Sequence, residues 1–85
     1  PSSNIKEMRF QYGKLEMHFG LDKGRIQKFK LYGDFLDNGD ISIIERNLDN
    51  VKYDRDIVST VLSSIEISKY ILNISNKDFI KCLFS

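Results

Sequence analysis

Eighty-five residues carrying 13 Lys and Arg against 12 Asp and Glu leave a net charge of +1, and 41% of them are hydrophobic, with six Phe and four Tyr. That is the size of one small domain with a modest core, and the composition is too apolar and aromatic for a disordered tail. No run approaches eighteen apolar residues and no signal-peptide pattern opens the chain, so neither a transmembrane helix nor a membrane partner is expected. The single cysteine, Cys82, allows no internal disulfide and no zinc site, which points to a reducing, cytoplasmic setting.

Pro1 to Asn4 is polar and reads as the end of a linker, with one domain over residues 5–85. Ile5 to Gln11 places Met8 and Phe10 two apart, the spacing of a short strand, and Tyr12-Gly13 turns the chain. Leu15 to Phe35 then reads as a hairpin. Leu15, Met17, Phe19 and Leu21 alternate with Glu16, His18, Gly20 and Asp22, the period of a half-buried strand. Lys23-Gly24 makes the turn, and Ile26, Phe29, Leu31 and Tyr32 form the returning strand. The apolar phase slips between Ile26 and Phe29, which predicts a bulge near Gln27 and Lys28. Such a hairpin needs helices on its oily face.

Gly33-Asp34-Phe35 leaves the sheet and Asp37-Asn38-Gly39-Asp40 is a turn cluster. Asp40 is placed to cap a helix over Ile41 to Leu48, with Ile41, Ile44 and Leu48 on one face and Asp49-Asn50 ending it. Asp54 caps the next helix, where Tyr53 and Val58 have staple spacing. Ile57, Val58, Val61, Leu62 and Ile65 make its apolar stripe, and Ile67, Tyr70 and Ile71 extend the same spacing. Ser75, with Asp78 three later and the Ile74–Phe79 pair, opens a last helix whose Phe79, Ile80 and Leu83 face inward. Strands first and helices after imply an α+β fold of two layers: a three-stranded antiparallel meander with about three helices on one face.

Catalytic groups are scarce. His18, on the polar face beside Glu16, has no nucleophile near it, and Cys82 in an amphipathic helix reads as a small buried hydrophobe. No phosphate-cradling glycine motif occurs. Asp34, Asn38, Gly39, Asp40, Ser42 and Glu45 match positions 1, 5, 6, 7, 9 and 12 of an EF-hand loop, but Leu36 at position 3 has no oxygen and the preceding segment reads as a strand, so no metal site is expected. Residues 1–33 hold seven basic and three acidic side chains, against six and nine in the remainder. Lys14, Lys23, Arg25, Lys28 and Lys30 therefore form a basic hairpin, most simply a solvated, aggregation-blocking strand face. Nucleic-acid binding there, with Phe10, Tyr12 and Tyr32 stacking bases, is disfavoured by the net charge of +1.

Met8-Arg9-Phe10, Gly13 to Phe19, Lys23-Gly24-Arg25-Ile26, Tyr32-Gly33-Asp34-Phe35 and Ile44-Glu45-Arg46-Asn47-Leu48 leading to Val51-Lys52-Tyr53-Asp54 resemble, in order and spacing, the C-terminal accessory domain of bacterial lipoate–protein ligases. Asn4-Ile5-Lys6 resembles the tail of the linker that leaves the catalytic domain; Asn50 stands where the family commonly has Gly, and residues 66–74 match loosely. The resemblance implies a non-catalytic, lid-like domain of an ATP-dependent ligase that makes lipoyl-adenylate and transfers the lipoyl group to a lysine of an acceptor protein. ATP, magnesium and lipoate would be bound by the parent enzyme and none by this domain. Its partners would be the catalytic N-terminal domain and the lipoyl-acceptor protein. The implied fold is similar to that of iron–sulfur assembly scaffolds, and a stand-alone scaffold or binding module of that type is the alternative. The expected lid surface is Tyr32, Asp34 and Phe35, where the strand breaks, together with Lys23 and Arg25; no catalytic residue is expected in this chain.

Overall fold

The computed structural model describes residues 3–34, 36 and 40–85. Strands β1 (Asn4–Phe10), β2 (Gly13–Asp22) and β3 (Arg25–Gly33) form one antiparallel sheet in the order β1-β2-β3. Helices α1 (Ser42–Leu48), α2 (Arg55–Leu62) and α3 (Asn76–Leu83) follow, with a short 3-10 turn at Ile67–Lys69. The expected two-layer α+β meander is the fold observed.

Alternation decides the faces. Leu15, Met17 and Phe19 of β2 are fully buried, as are Ile26 of β3, Ile44 and Leu48 of α1, Val58 and Leu62 of α2, and Phe79 and Leu83 of α3. These residues make one continuous core. Phe19 lies at its centre, its ring 5.9 Å from Phe29 and 5.5 Å from Tyr53. The opposite sheet face carries Ile5, Glu7, Arg9, Glu16, His18, Lys30 and Tyr32, none of them in the core.

Both devices read from the hairpin sequence are present. Lys23 and Gly24 have φ of 51° and 77°, the two positive values that a tight hairpin turn with right-handed strand twist requires. The β2–β3 register shifts between His18 and Gly20: His18 faces Lys30 and Gly20 faces Gln27, so Phe19 opposes both Lys28 and Phe29. Lys28 takes the bulge, at φ 55°. The extra residue lets Ile26 and Phe29, three apart, both enter the core.

The free edge of β3 is closed by the α1–α2 region. Asp49 Oδ1 accepts from the bulged Lys28 N–H at 3.1 Å, Glu45 Oε2 accepts from Leu31 N–H at 2.9 Å, and Ile26 N–H donates to Val51 O at 2.8 Å. The carboxylates of Glu45 in α1 and Asp49 at its C-terminal cap, with the Val51 carbonyl, thus take the place of a fourth strand.

Several local expectations need adjustment. β1 begins at Asn4, which pairs with Phe19, and Gly13 already belongs to β2. Asp40 is not the N-cap of α1: Ile41 occupies that position and the helix starts at Ser42, while Asp40, one residue further out, accepts from the Ser42 N–H through Oδ1 at 3.0 Å. Asn50, at φ 63°, closes the helix end as expected, and Asp54 Oδ1 and Ser75 Oγ accept from Ile57 and Asp78 N–H. Ile57 is 40% exposed, because α2 turns its Val58–Leu62 line to the core and leaves Ile57 on the rim. Ile67, Tyr70 and Ile71 do not prolong α2. It stops at Ser63, and Asn76 Nδ2 takes the Leu62 and Ile65 carbonyls that a continuing helix would have used. Ile67 and Ile71 reach the core from the 3-10 turn instead. The Asp37-Asn38-Gly39 turn and Phe35 lie outside the described residues.

Candidate functional site

The strands dispose the candidate residues at two separate ends of the hairpin. Lys23 and Arg25 stand at the β2–β3 turn, Tyr32 and Asp34 at the far end of β3. Seven residues of strand, at about 3.3 Å each, part Arg25 from Tyr32 by roughly 20 Å. No single contact surface the size of a side-chain cluster includes both pairs.

At the turn, Lys23 is exposed and sits at positive φ. Arg25 Nη1 donates to Asn50 O at 3.0 Å, and its backbone bridges to Lys52. One cation is therefore tethered and the other is displayed. The remaining basic residues of the hairpin are partly paired as well: Lys14 with Glu16 at 3.1 Å, Lys30 with Glu45 at 4.0 Å.

At the far end, Asp34 closes the hairpin. Its Oδ2 accepts from Lys14 N–H at 3.2 Å and its own N–H donates to Lys14 O at 3.1 Å. The carboxylate lies over Gly13, where a Cβ would collide with it, and a Cβ on Gly33 would collide with the Lys14 carbonyl oxygen. Gly13 and Gly33 are required by this close approach. Asp34 is thus engaged within the fold, whereas Tyr32 is 52% exposed.

Beside Tyr32 the outward face of β2 carries a row of charged and polar groups. Lys14, Glu16 and His18 are two apart and so share one face, a placement that alternation alone makes visible. Glu16 sits between two donors: Oε1 accepts from His18 Nε2 at 2.8 Å and Oε2 from Lys14 Nζ at 3.1 Å. The His18 ring in turn meets the Tyr32 ring edge-on, with centroids 4.7 Å apart. The His18 and Lys14 hydrogen bonds hold the Glu16 carboxyl below its ordinary value of 4.5, and Glu16 raises Lys14 above 10.5. Because the folded state favours ionised Glu16, its contribution to stability is present above the unfolded value and is lost as pH falls through the lower folded one. Urea midpoints measured from pH 7 down to pH 3 are expected to fall less steeply for Glu16→Gln than for the wild type. Parallel curves would show that this row adds nothing.

The other reactive groups are enclosed. Cys82 is 6% exposed, and burial pushes its thiol up from 9.0. That is the wrong environment for the exposed thiolate a scaffold of iron–sulfur type needs. Burial also raises Tyr53, whose hydroxyl donates to Leu83 O at 2.7 Å under the Phe84 ring. Among the described residues no three His, Cys, Asp or Glu side chains converge as a metal site, and no helix is long and apolar enough to cross a membrane.

Comparison with known proteins gives this arrangement a context. Residues 2–83 match the family model for the bacterial lipoate protein ligase C-terminus. Lipoate-protein ligase LplJ of Bacillus subtilis is 33% identical over 85 residues, covering 99% of this chain and 26% of that protein. A lipoate–protein ligase of Streptococcus pyogenes is 28% identical over 80 residues, covering 94% of this chain and 24% of that protein. The crystal structure of Plasmodium falciparum LipL1 in complex with lipoate superposes with a TM-score of 0.64 at 26% identity, over 95% of this chain and 23% of that one. The chain therefore spans about a quarter of the length of the relatives it matches. With a meander sheet and three helices among the described residues, and a family match over residues 2–83, the chain belongs to the C-terminal domain family of bacterial lipoate–protein ligases.

Proposed function

We propose that this domain is the movable cover of a lipoate–protein ligase: it closes during formation of lipoyl-adenylate and moves aside so that the lipoyl group can pass to a lysine of an acceptor protein. The observation that supports this most is the match of residues 2–83 to a C-terminal domain that makes up only about a quarter of its relatives. The chemistry gives the division of labour a reason. An acyl-adenylate is hydrolysed by water, so its formation needs a closed site, whereas transfer to another protein needs an open one.

In this reading ATP, magnesium and lipoate are held by the preceding catalytic domain, in the cytoplasm, and this chain supplies contact surface and no reacting group. Its polar side chains fit that division. Asp34, Glu45, Asp49, Asp54 and Asn76 all accept hydrogen bonds from backbone N–H groups of the domain itself. Lys23 at the turn and Tyr32 at the far end of β3 are left displayed, and we assign them, with Arg25, to the lid surface; Asp34, held to Lys14, ends the strand beside Tyr32.

The test adds the 85-residue chain to a ligase truncated just before it and follows lipoyl-adenylate formation. Closure that completes a site is expected to raise the rate by at least about tenfold. An unchanged rate would remove the lid role. Lys23→Ala and Tyr32→Ala are expected to weaken the stimulation while leaving the domain folded.

A further inference from the structure

The helices cover one face of the sheet and leave the other uncovered among the described residues. An uncovered antiparallel face is ordinary when it is polar. Here two large side chains, one aliphatic and one aromatic, lie exposed on it. Ile5 is 60% exposed, Tyr32 52%, and the two flank His18: Ile5 is its partner across β1–β2 and the Tyr32 ring lies against it. Gly20, next along the face, offers no side chain. Charges of both signs surround it, with Glu7, Arg9 and the Lys14–Glu16 pair on one side and Lys30 on the other.

From these observations we infer that the outward sheet face centred on Ile5, His18 and Tyr32 is the surface that the preceding region of the same ligase docks against. This deepens the lid reading and rests on it. Three features select this occupant. In the relatives the matched segment is the C-terminal region, so the remaining three quarters precede it and lead into β1, whose first residue, Asn4, adjoins Ile5. The tethered region is thus delivered to the Ile5 end of this face at high effective concentration. An apolar-aromatic centre with a mixed-charge rim is the composition of a protein-facing surface and a poor match to a phosphate backbone or anionic lipid. Size fits as well: three strands about 4.8 Å apart and about seven residues long offer roughly 300 Å² per side, near the lower end for inter-domain contacts, which suits a contact that must open. The helical layer is a weaker candidate, because its large apolar side chains are mostly buried already.

The experiment measures thiol labelling on the intact ligase in a Cys82→Ala background. Glu7→Cys and Lys30→Cys report on the face without removing Ile5 or Tyr32, and Lys77→Cys on exposed α3 is the control. A contact populated nine-tenths of the time slows labelling about tenfold relative to the 85-residue chain alone. Slowing at positions 7 and 30 but not 77, with or without ATP and lipoate, and its loss on adding Ile5→Asp, is the expected result. Equal rates in the ligase and the isolated chain under both conditions would overturn the assignment. So would slowing in the isolated chain that grows with its own concentration, since a second copy would then be the occupant. Adenylate formation by the same variants keeps the two ideas apart. Unslowed labelling with intact stimulation sinks the surface and spares the lid; slowed labelling without stimulation does the reverse.

Discussion

Phe19→Ala is expected to cost this domain about 3–5 kcal/mol, the range for emptying a large aromatic site in a packed core. Phe19 is fully buried and its ring touches the layers on both sides, Phe29 within the sheet and Tyr53 from the α1–α2 connection. A chain this short has about 4–13 kcal/mol in total, so the variant would sit close to unfolding. At about 4–8 °C per kcal/mol the melting temperature should drop by roughly 20 °C. Ile57→Ala is the contrast, because Ile57 is 40% exposed and should cost well under 1 kcal/mol. Scanning calorimetry of the two variants decides. Equal, small losses would mean that Phe19 is not the centre of the core.

Phe19 also marks what alternation can and cannot reveal. Its burial follows directly from the Leu15, Met17, Phe19 spacing, and the phase slip between Ile26 and Phe29 located the bulge that now stands at Lys28. The helix starts at Asp54 and Ser75 were legible because a capping side chain acts on its own backbone two or three residues away. Interactions between distant segments were not. Nothing in the residues of α1 and its C-terminal cap says that Glu45 and Asp49 will turn to the β3 edge, since an exposed acid looks the same whether it meets water or a strand. The basic hairpin is the converse case: the sequence shows the cations, but only the folded pairing shows that Lys14, Lys30 and Arg25 are engaged and Lys23 is displayed.

The candidate surface was legible in the same partial way. Tyr32 is marked by its place at a strand break, and the structure leaves it half exposed against His18. Ile5 is less conspicuous, because an apolar residue in a strand is ordinarily assigned inward. Here Met8 and Phe10 set the inward phase, so Ile5 is the residue out of phase, and it lies on the open face. Parity within the first strand was the available signal.

Asn76 is the least conspicuous of the large-effect positions, following the Ser75 cap as an ordinary polar first-turn residue. Its side chain makes three hydrogen bonds from the end of α2 to the 3-10 turn: Nδ2 donates to Leu62 O at 3.1 Å and Ile65 O at 2.7 Å, and Oδ1 accepts from Ile67 N–H at 2.8 Å. It fixes the path between α2 and α3 where no long helix does, and that path carries Ile65, Ile67 and Ile71 into the core. Asn76→Ala removes all three bonds in a partly buried site. At about 1 kcal/mol net for each, more where a backbone group loses contact with water, the loss should be about 3 kcal/mol. Asn76→Asp separates the two roles. It keeps the acceptor for Ile67 but points a carboxylate at two carbonyl oxygens, and a helix N-terminus returns at most about 1 kcal/mol for an added negative charge. Asn76→Asp should therefore be at least as unstable as Asn76→Ala at pH 7. It should recover as pH falls below the carboxyl's raised folded pKa, where protonation restores one donor, while Asn76→Ala gains nothing from the same change. Urea denaturation of both variants at pH 7 and pH 4 reads this directly. Losses below about 0.5 kcal/mol for Asn76→Ala, or an Asp variant that weakens further in acid relative to it, would show that the loop is held by its isoleucines alone.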